Sequence, residues 1–376
     1  MKIAVNCIFF QPRSGGIKEY IFNLVNNLHL VDSTNKYVIY VLKDQLSFAR
    51  NNFPKDMCIK VVPYVSGSLI EKIKRSLLIQ SFWSKEEEIE QFDVFHSPFF
   101  HSPSFKKAKV VLTVHDMRFY RYPRTYTFLR YIFLKYSVKK SIERVDHVIA
   151  ISEFTKQELL KAYNIPNNKI SVVHESIDWD RFRRISSDLT DKMLSSSLSS
   201  SRFLLTVGHI EPRKNYLRLL HVFNNLKKRK GNEDLKLVIV GKKAHSYKRV
   251  LELIESTPDV VYLDYVSHNI LLWLYQNATL FVFPTYYEGF GFPPLEAAAL
   301  GTVSVVSNVS SLPEICAESA FYFNPFSCEN MTNVLLEVLS NNDSINEKKK
   351  LLQDNLSRFS WKKNALETMR IYKKIL

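Results

Sequence analysis

Residues 286–301 read Tyr-Tyr-Glu-Gly-Phe-Gly-Phe-Pro-Pro-Leu-Glu-Ala-Ala-Ala-Leu-Gly and place Glu288 and Glu296 with seven residues between them. The stretch holds three of the nine glycines of the chain. It follows an apolar, strand-like run at 279–284 and leads into a helix pattern at 295–300, with Pro294 near the helix start and Glu296 in the first turn. A glycine loop between a strand and a helix N-terminus turns backbone N–H groups toward an anion. Gly289, Phe290 and Gly291 supply those amides. Carboxylates beside such a loop repel phosphate and accept hydroxyls instead. Phosphate next to hydroxyls is the chemistry of a sugar nucleotide. The plainer alternative is that both glutamates only complement the helix dipole.

A second constellation is Gly208-His-Ile-Glu-Pro-Arg-Lys-Asn215, again between a strand pattern and a helix pattern. Arg213 and Lys214 are adjacent cations at a helix N-terminus, where the dipole disfavours them unless an anion comes between. Arg offers a planar fork for phosphate oxygens and Lys a mobile point charge. Gly15 and Gly16, after the first strand pattern, form a loop for close backbone approach. The G-x-G-x-x-G spacing is missing there, which argues against a dinucleotide enzyme. Thr113-Val-His-Asp116 ends a further strand pattern. His115 either bonds a ligand, with Asp116 orienting it or meeting an acceptor, or is a buried, satisfied histidine. Residues 117–142 carry seven Lys/Arg, no acid and eight Phe/Tyr. They are either a contact for an anionic membrane or a core helix with snorkelling cations.

The elements that must position these residues alternate. Strand patterns at 3–9, 37–42, 59–62, 94–96, 110–114, 147–151 and 170–173 are interleaved with helix patterns at 19–30, 69–91, 126–143 and 153–162. That is the signature of parallel βαβ units. A serine-rich stretch at 186–201 reads as a linker. The rhythm then restarts, with strands at 203–207, 235–240, 260–263, 280–283 and 303–306 and helices between them. The expected domains are 1–185 and 202–360, both doubly wound, with a last helix at 361–376. The length of 376 residues fits two cores.

The remaining composition bounds the partners. Four scattered cysteines fit a reducing compartment and show no metal-like spacing. No leader peptide or membrane span is expected. The net charge of +15 favours anionic partners. It is spread as 26 Lys+Arg against 18 Asp+Glu in residues 1–180 and 26 against 19 in the rest, so no basic tail points to nucleic acid.

Taken together, the two glutamates spaced by seven, Glu-Pro-Arg-Lys-Asn, Val-His-Asp, Ile-Ser-Glu-Phe-Thr and Ser-Ser-Leu-Pro-Glu314 resemble the landmarks of the retaining GT-B glycosyltransferases, the large group of bacterial mannosyl- and glucosyltransferases of polysaccharide assembly. The resemblance covers nearly the whole chain. It implies two Rossmann-like domains facing across a cleft, with the helix at 361–376 crossing back to the first. It implies that Arg213 and Lys214 hold the donor diphosphate, that Glu288, Phe290 and Gly291 meet the donor sugar, and that Glu296 binds the ribose. His115 would lie by the reacting sugar, Gly15 and Gly16 near the diphosphate, and Gly208 and Gly289 within the donor loops. Asn6 stands where relatives often have Asp.

The resulting expectation is a cytoplasmic, membrane-peripheral hexosyltransferase of polysaccharide or lipopolysaccharide biosynthesis. Mannose is the first choice of sugar. The donor is GDP-mannose or a UDP-hexose, the acceptor a lipid-linked or growing glycan, and neither a metal nor a cofactor is called for. Rival readings are a sugar-nucleotide epimerase on the same plan, a pyridoxal-phosphate phosphorylase, and a non-catalytic polyanion binder.

Overall fold

Structure is described for residues 1–11, 15–178, 182, 198 and 201–376 in a computed structural model. The chain forms two compact units, Met1–Ser176 with Ser360–Leu376, and Ile177–Phe359. Apart from Leu198 and Ser201, the expected linker at 186–201 lies outside the described residues.

The first unit is built on seven parallel strands: β1 (Lys2–Asn6), β2 (Lys36–Leu42), β3 (Cys58–Val62), β4 (Val94–Ser97), β5 (Lys109–Val114), β6 (His147–Ala150) and β7 (Ile170–Val172). Their order is β3-β2-β1-β4-β5-β6-β7, so the winding reverses between β1 and β4. Helices α1 (Gly16–Val31), α2 (Leu46–Asn52), α3 (Leu69–Glu90), α4 (Arg118–Arg121), α5 (Phe128–Arg144) and α6 (Glu153–Ala162) connect them. Both faces of the sheet are buried, which is why the strands read as near-continuous apolar runs. Alternate residues still go to opposite cores. Ala4, Tyr40, Phe95 and Leu112 pack on one face with Trp83, and Ile3, Val5, Ile39 and Val111 on the other with Tyr20 and Leu24.

The second unit has six parallel strands: β8 (Phe203–Val207), β9 (Lys236–Val240), β10 (Val260–Leu263), β11 (Leu280–Phe283), β12 (Ser304–Ser307) and β13 (Ala320–Phe323). The order is β10-β9-β8-β11-β12-β13, with reversal between β8 and β11. Its helices are α7 (Tyr216–Lys227), α8 (Lys248–Glu255), α9 (His268–Asn277), α10 (Phe292–Ala299), α11 (Leu312–Cys316), α12 (Cys328–Ser340) and α13 (Asn342–Ser357).

Helix α14 (Trp361–Ile375) returns to the first unit. Its N-cap Ser360 accepts the Lys363 amide at 3.1 Å. Trp361, Ala365, Met369 and Tyr372 then enter the core shared with α1. Among the described residues no helix is long and apolar enough to cross a membrane.

Candidate active site

In open α/β sheets the carboxyl ends of the two strands flanking the reversal form a natural ligand crevice. In the second unit those strands are β8 and β11, paired at Leu204↔Leu280 and Leu205↔Phe281. The loop after β8 carries Gly208 to Asn215, and the loop after β11 carries Thr285 to Gly291. The sequence-expected donor residues therefore arrive side by side.

The first loop is held by close backbone packing. A Cβ on Gly241, at the end of β9, would fall 1.9 Å from the Gly208 carbonyl oxygen, so only glycine lets the two strand ends approach. The Tyr216 hydroxyl donates to that same carbonyl at 2.7 Å. Pro212–Lys214 form one 3-10 turn, stopped by Asn215 in the left-handed region at φ 60°. Asn215 Nδ2 donates to the carbonyls of Pro284 and Pro325, both at 3.0 Å. The two loops also share a backbone acceptor. The Arg213 carbonyl takes the Tyr286 amide at 2.8 Å and the Thr285 hydroxyl at 3.1 Å.

Charge concentrates at this junction. Glu288 Oε1 accepts from Arg213 Nη1 at 2.7 Å, from Lys214 Nζ at 2.6 Å and from the Thr285 hydroxyl at 3.1 Å. Arg213 also pairs with Glu211 Oε1 at 2.8 Å and donates to the Tyr287 carbonyl at 2.7 Å. The sequence called for an anion at these cations, and in the structure the Glu288 carboxylate lies against both. Burial by itself would raise the Glu288 pKa, but the charges of Arg213 and Lys214 and the bonds from Lys214 and Thr285 hold it below the ordinary value. Burial dominates at Lys214 and lowers its pKa despite the Glu288 charge. The Lys214 ammonium also lies 4.6 Å from the centre of the Phe283 ring.

The loop into α10 is clamped from below. Ser311 Oγ donates to the Glu288 carbonyl at 3.1 Å and to the Phe290 carbonyl at 2.5 Å, and the Glu288 amide donates to Ser310 Oγ at 3.2 Å. Gly291 is the N-cap, at φ +116°, and a Cβ there would sit 2.8 Å from Leu312 Cδ2. Helix α10 begins at Phe292, earlier than the expected 295, because prolines are tolerated in a first turn. Glu296 thus falls in the second turn instead of the first, where it accepts from the Tyr275 hydroxyl at 2.8 Å. Pro293 and Pro294 carry no N–H, so anion-facing amides must come from Phe292 and the residues before it.

In the first unit, His115 follows β5 and is largely buried. Its Nδ1 lies 2.8 Å from Glu175 Oε1 and its Nε2 2.9 Å from the Pro98 carbonyl. Both partners are acceptors, so satisfying both requires the doubly protonated ring. Burial favours the neutral ring, but Glu175, the Pro98 carbonyl and the Asp116 charge outweigh it and raise the His115 pKa. The residue orienting His115 is therefore Glu175. Asp116 instead accepts the Arg118 amide at 2.9 Å and starts α4. Gly15 is exposed as the N-cap of α1, with open space where a Cβ would stand, and Gly16 is the first helical residue.

Two family models match, one to each half of the chain. Glycosyl transferases group 1 matches residues 194–365, and Glycosyltransferase Family 4 matches residues 14–181. The chain carries a glycosyl transferases group 1 domain and a glycosyltransferase family 4 domain. It is 27% identical over 285 residues to O-antigen chain mannosyltransferase B of Escherichia coli, covering 74% of each chain. It is 32% identical over 216 residues to the O-antigen chain mannosyltransferase RfbU of Salmonella typhimurium, covering 57% of this chain and 56% of that relative. The crystal structure of WaaG, a glycosyltransferase involved in lipopolysaccharide biosynthesis, superposes with a TM-score of 0.71 at 15% identity over 99% of both chains. The fold is GT-B.

Sequence reasoning missed several residues of this glycosyltransferase that the structure places at these loops: Glu175, Glu211, Thr285, Ser310, Ser311 and Tyr275. Ser310 and Ser311 lay inside a quoted landmark, Ser-Ser-Leu-Pro-Glu, without a role. The signal that would have found Glu175 is its place just beyond the end of β7, on the same sheet edge as His115. Among the described residues, no group of three or more His, Cys, Asp or Glu side chains is assembled as a metal site.

Proposed function

We propose that this glycosyltransferase moves a hexose, mannose first among candidates, from a nucleoside-diphosphate sugar to a lipid-linked or growing glycan, with retention at the anomeric carbon. The observation that carries the reading is the Arg213–Glu288–Lys214 cluster at the β8/β11 reversal, in a chain whose relatives are O-antigen mannosyltransferases.

In this reading the donor diphosphate displaces part of the Glu288 interaction and takes the guanidinium and ammonium. Negative charge grows on the leaving diphosphate as the sugar bond breaks. Arg213, Lys214 and the amides of 290–292 would stabilise it. Glu288 Oε1 is committed to cations, so a sugar hydroxyl would be taken by Oε2. Glu296, oriented by Tyr275, would take ribose hydroxyls. The departing phosphate would accept the acceptor's proton on the face from which it leaves, which gives retention with no carboxylate nucleophile.

The test is a donor screen with purified protein. GDP-mannose or a UDP-hexose should raise the melting temperature and release nucleoside diphosphate with a glycan acceptor, and proton NMR should show the product anomer unchanged from the donor. An altered donor in the absence of acceptor would indicate epimerisation instead, and an inverted anomer would remove the retaining mechanism.

A further inference from the structure

Helix α14 turns polar side chains into the core of the first unit, and their contacts converge on His115. Trp361, Asn364, Thr368 and Tyr372 recur at helical spacing and share one face, and all four are buried. The Tyr372 hydroxyl lies 2.6 Å from His96 Nδ1 on β4, and His96 Nε2 lies 2.8 Å from the Thr113 hydroxyl on β5. That hydroxyl is 3.2 Å from the hydroxyl of Tyr20 on α1. The Tyr20 ring meets His115 edge-on, with centroids 4.8 Å apart, and meets Trp361 of α14 at 5.9 Å. The chain of contacts thus leaves α14 at Tyr372 and returns to it at Trp361, with His115 against the Tyr20 ring.

A second route reaches Glu175. Strand β7 ends at Val172, and the Val173 amide adds a bond to the Ala150 carbonyl at 3.0 Å. Residues 174–178 then form no regular element. This irregular segment holds the Glu175 carboxylate, with the residue only 2% exposed, 2.8 Å from His115 Nδ1. The carbonyl of His174, the residue just before, accepts from Asn364 Nδ2 at 2.8 Å. Asn364 is 1% exposed, and its Oδ1 has no hydrogen-bond partner among the described residues. For packing alone, an apolar side chain of the same size would avoid burying that oxygen. The donor half of the amide is spent on the backbone beside Glu175.

We propose that Asn364 is a positioning residue for glycosyl transfer: from α14 it fixes the backbone beside Glu175 and so holds the Glu175 carboxylate on His115 Nδ1. Without that anchor the carboxylate moves with an irregular segment, and the imidazole loses the partner that orients it at the carboxyl end of β5. Titratable groups facing the ring are Glu175 beyond β7, Asp116 next in the chain, His96 on β4 and Tyr20 on α1, with Tyr372 of α14 behind His96. The effect on rate rests on the reaction proposed above, and the effect on His115 rests on geometry alone.

The experiment compares Asn364→Leu with Thr368→Val in the full chain. Both remove a buried polar group from the same face of α14, but Thr368 Oγ1 makes no hydrogen bond among the described residues. Asn364→Leu should melt close to wild type. It should lower the NMR titration midpoint of the His115 imidazole, the signal being assigned by its loss in His115→Gln. It should also cut kcat about tenfold with the donor KM unchanged. Thr368→Val should alter neither. Asn364→Ala removes the same donor without the bulk of leucine and should give the same downward shift. An unmoved His115 titration in either Asn364 variant would overturn the proposal, whatever happens to stability. An equal shift in Thr368→Val would trace the effect to the packing of α14 and overturn it too. So would a lowered midpoint with wild-type kcat, which takes His115 out of the reaction. The titration needs no donor: a wild type inert with every sugar nucleotide would remove the proposed reaction, while the midpoint still decides whether Asn364 holds Glu175 on His115.

Discussion

Lys214 and Glu288, 74 residues apart in sequence, are bound at 2.6 Å, ammonium to carboxylate, on two loops brought together by adjacent parallel strands. The same carboxylate oxygen holds Arg213. The cations that would grip a diphosphate are thus already occupied by an internal anion. Removing that anion should separate binding from turnover. Glu288→Gln is expected to tighten nucleoside-diphosphate binding, because two cations lose their competitor, while lowering transfer by about 10²-fold or more. Lys214→Ala should lower both. Calorimetric titration with GDP and UDP beside initial rates checks this, and parallel losses of binding and rate in Glu288→Gln would refute the competition.

Glycine substitutions distinguish conformational need from mere presence in a motif. Gly291→Ala forces a side chain into a left-handed backbone 2.8 Å from Leu312 Cδ2 and should destabilise the protein by about 1–3 kcal/mol. Gly208→Ala brings a Cβ within 3.1 Å of Lys214 Cε and 3.2 Å of the Tyr216 hydroxyl, displacing the catalytic candidate itself. It should reduce transfer more than stability. Gly15→Ala meets nothing within 4 Å and should be nearly silent in unfolding. Urea unfolding of the three variants ranks them, and a fully stable Gly291→Ala would contradict the argument.

The strands at 203–207, 260–263 and 280–283 were legible to the residue, because apolar runs bounded by glycine or polar residues have few other solutions in a parallel sheet. Strand β13 was not. Ala-Phe-Tyr-Phe carries no β-branched residue, and only pairing with β12 makes it a strand. The start of α10 was misplaced by three residues because Pro294 alone read as the proline of the helix start, whereas the first turn holds both prolines and begins at Phe292. The adjacent cations Arg213 and Lys214 were legible as an electrostatic anomaly. Its resolution by Glu288, and the pairing of His115 with Glu175 sixty residues away, depend on distances across loops that spacing in sequence does not encode.

Glu296 and Tyr275 form a hydrogen-bonded pair that the proposed function assigns to the ribose diol. Tyr275 is fully buried, and burial together with the Glu296 charge raises its pKa well above the ordinary value, so it stays protonated and keeps the carboxylate oriented. Tyr275→Phe should leave the carboxylate charge but loosen its position. It is expected to raise the donor KM several-fold with little change in kcat, whereas Glu296→Ala should raise it further. A deoxyribose donor should lose this difference between the variants. Equal KM ratios for ribose and deoxyribose donors would place Glu296 elsewhere.

The histidines of the first unit bound its stability from both sides of pH. His115 has its pKa raised by Glu175 against burial, so its contribution is fully present below the unfolded value of about 6.5 and is lost as pH rises through the folded value. His96, buried between Tyr372 at 2.6 Å and Thr113 at 2.8 Å, is pushed by burial to about 3. His147 is pushed by burial to about 4. Both stay neutral in the fold while the unfolded chain takes up protons. Their contribution is therefore present above about 6.5 and declines as pH falls toward those values, each by up to about 1.4 kcal/mol per pH unit. Glu175→Gln should remove the alkaline limb and leave the acid limb. Burial is then opposed only by the Pro98 carbonyl and the Asp116 charge, and the His115 pKa should fall. The loss of stability near pH 6 should be about 3 kcal/mol, the order seen when one member of a buried charge pair is removed. Urea midpoints from pH 5 to 9.5, with the imidazole signals followed by NMR, measure both effects. Parallel pH profiles for wild type and Glu175→Gln would mean that His115 is neutral in the folded protein and that its Nε2 alone donates, to the Pro98 carbonyl.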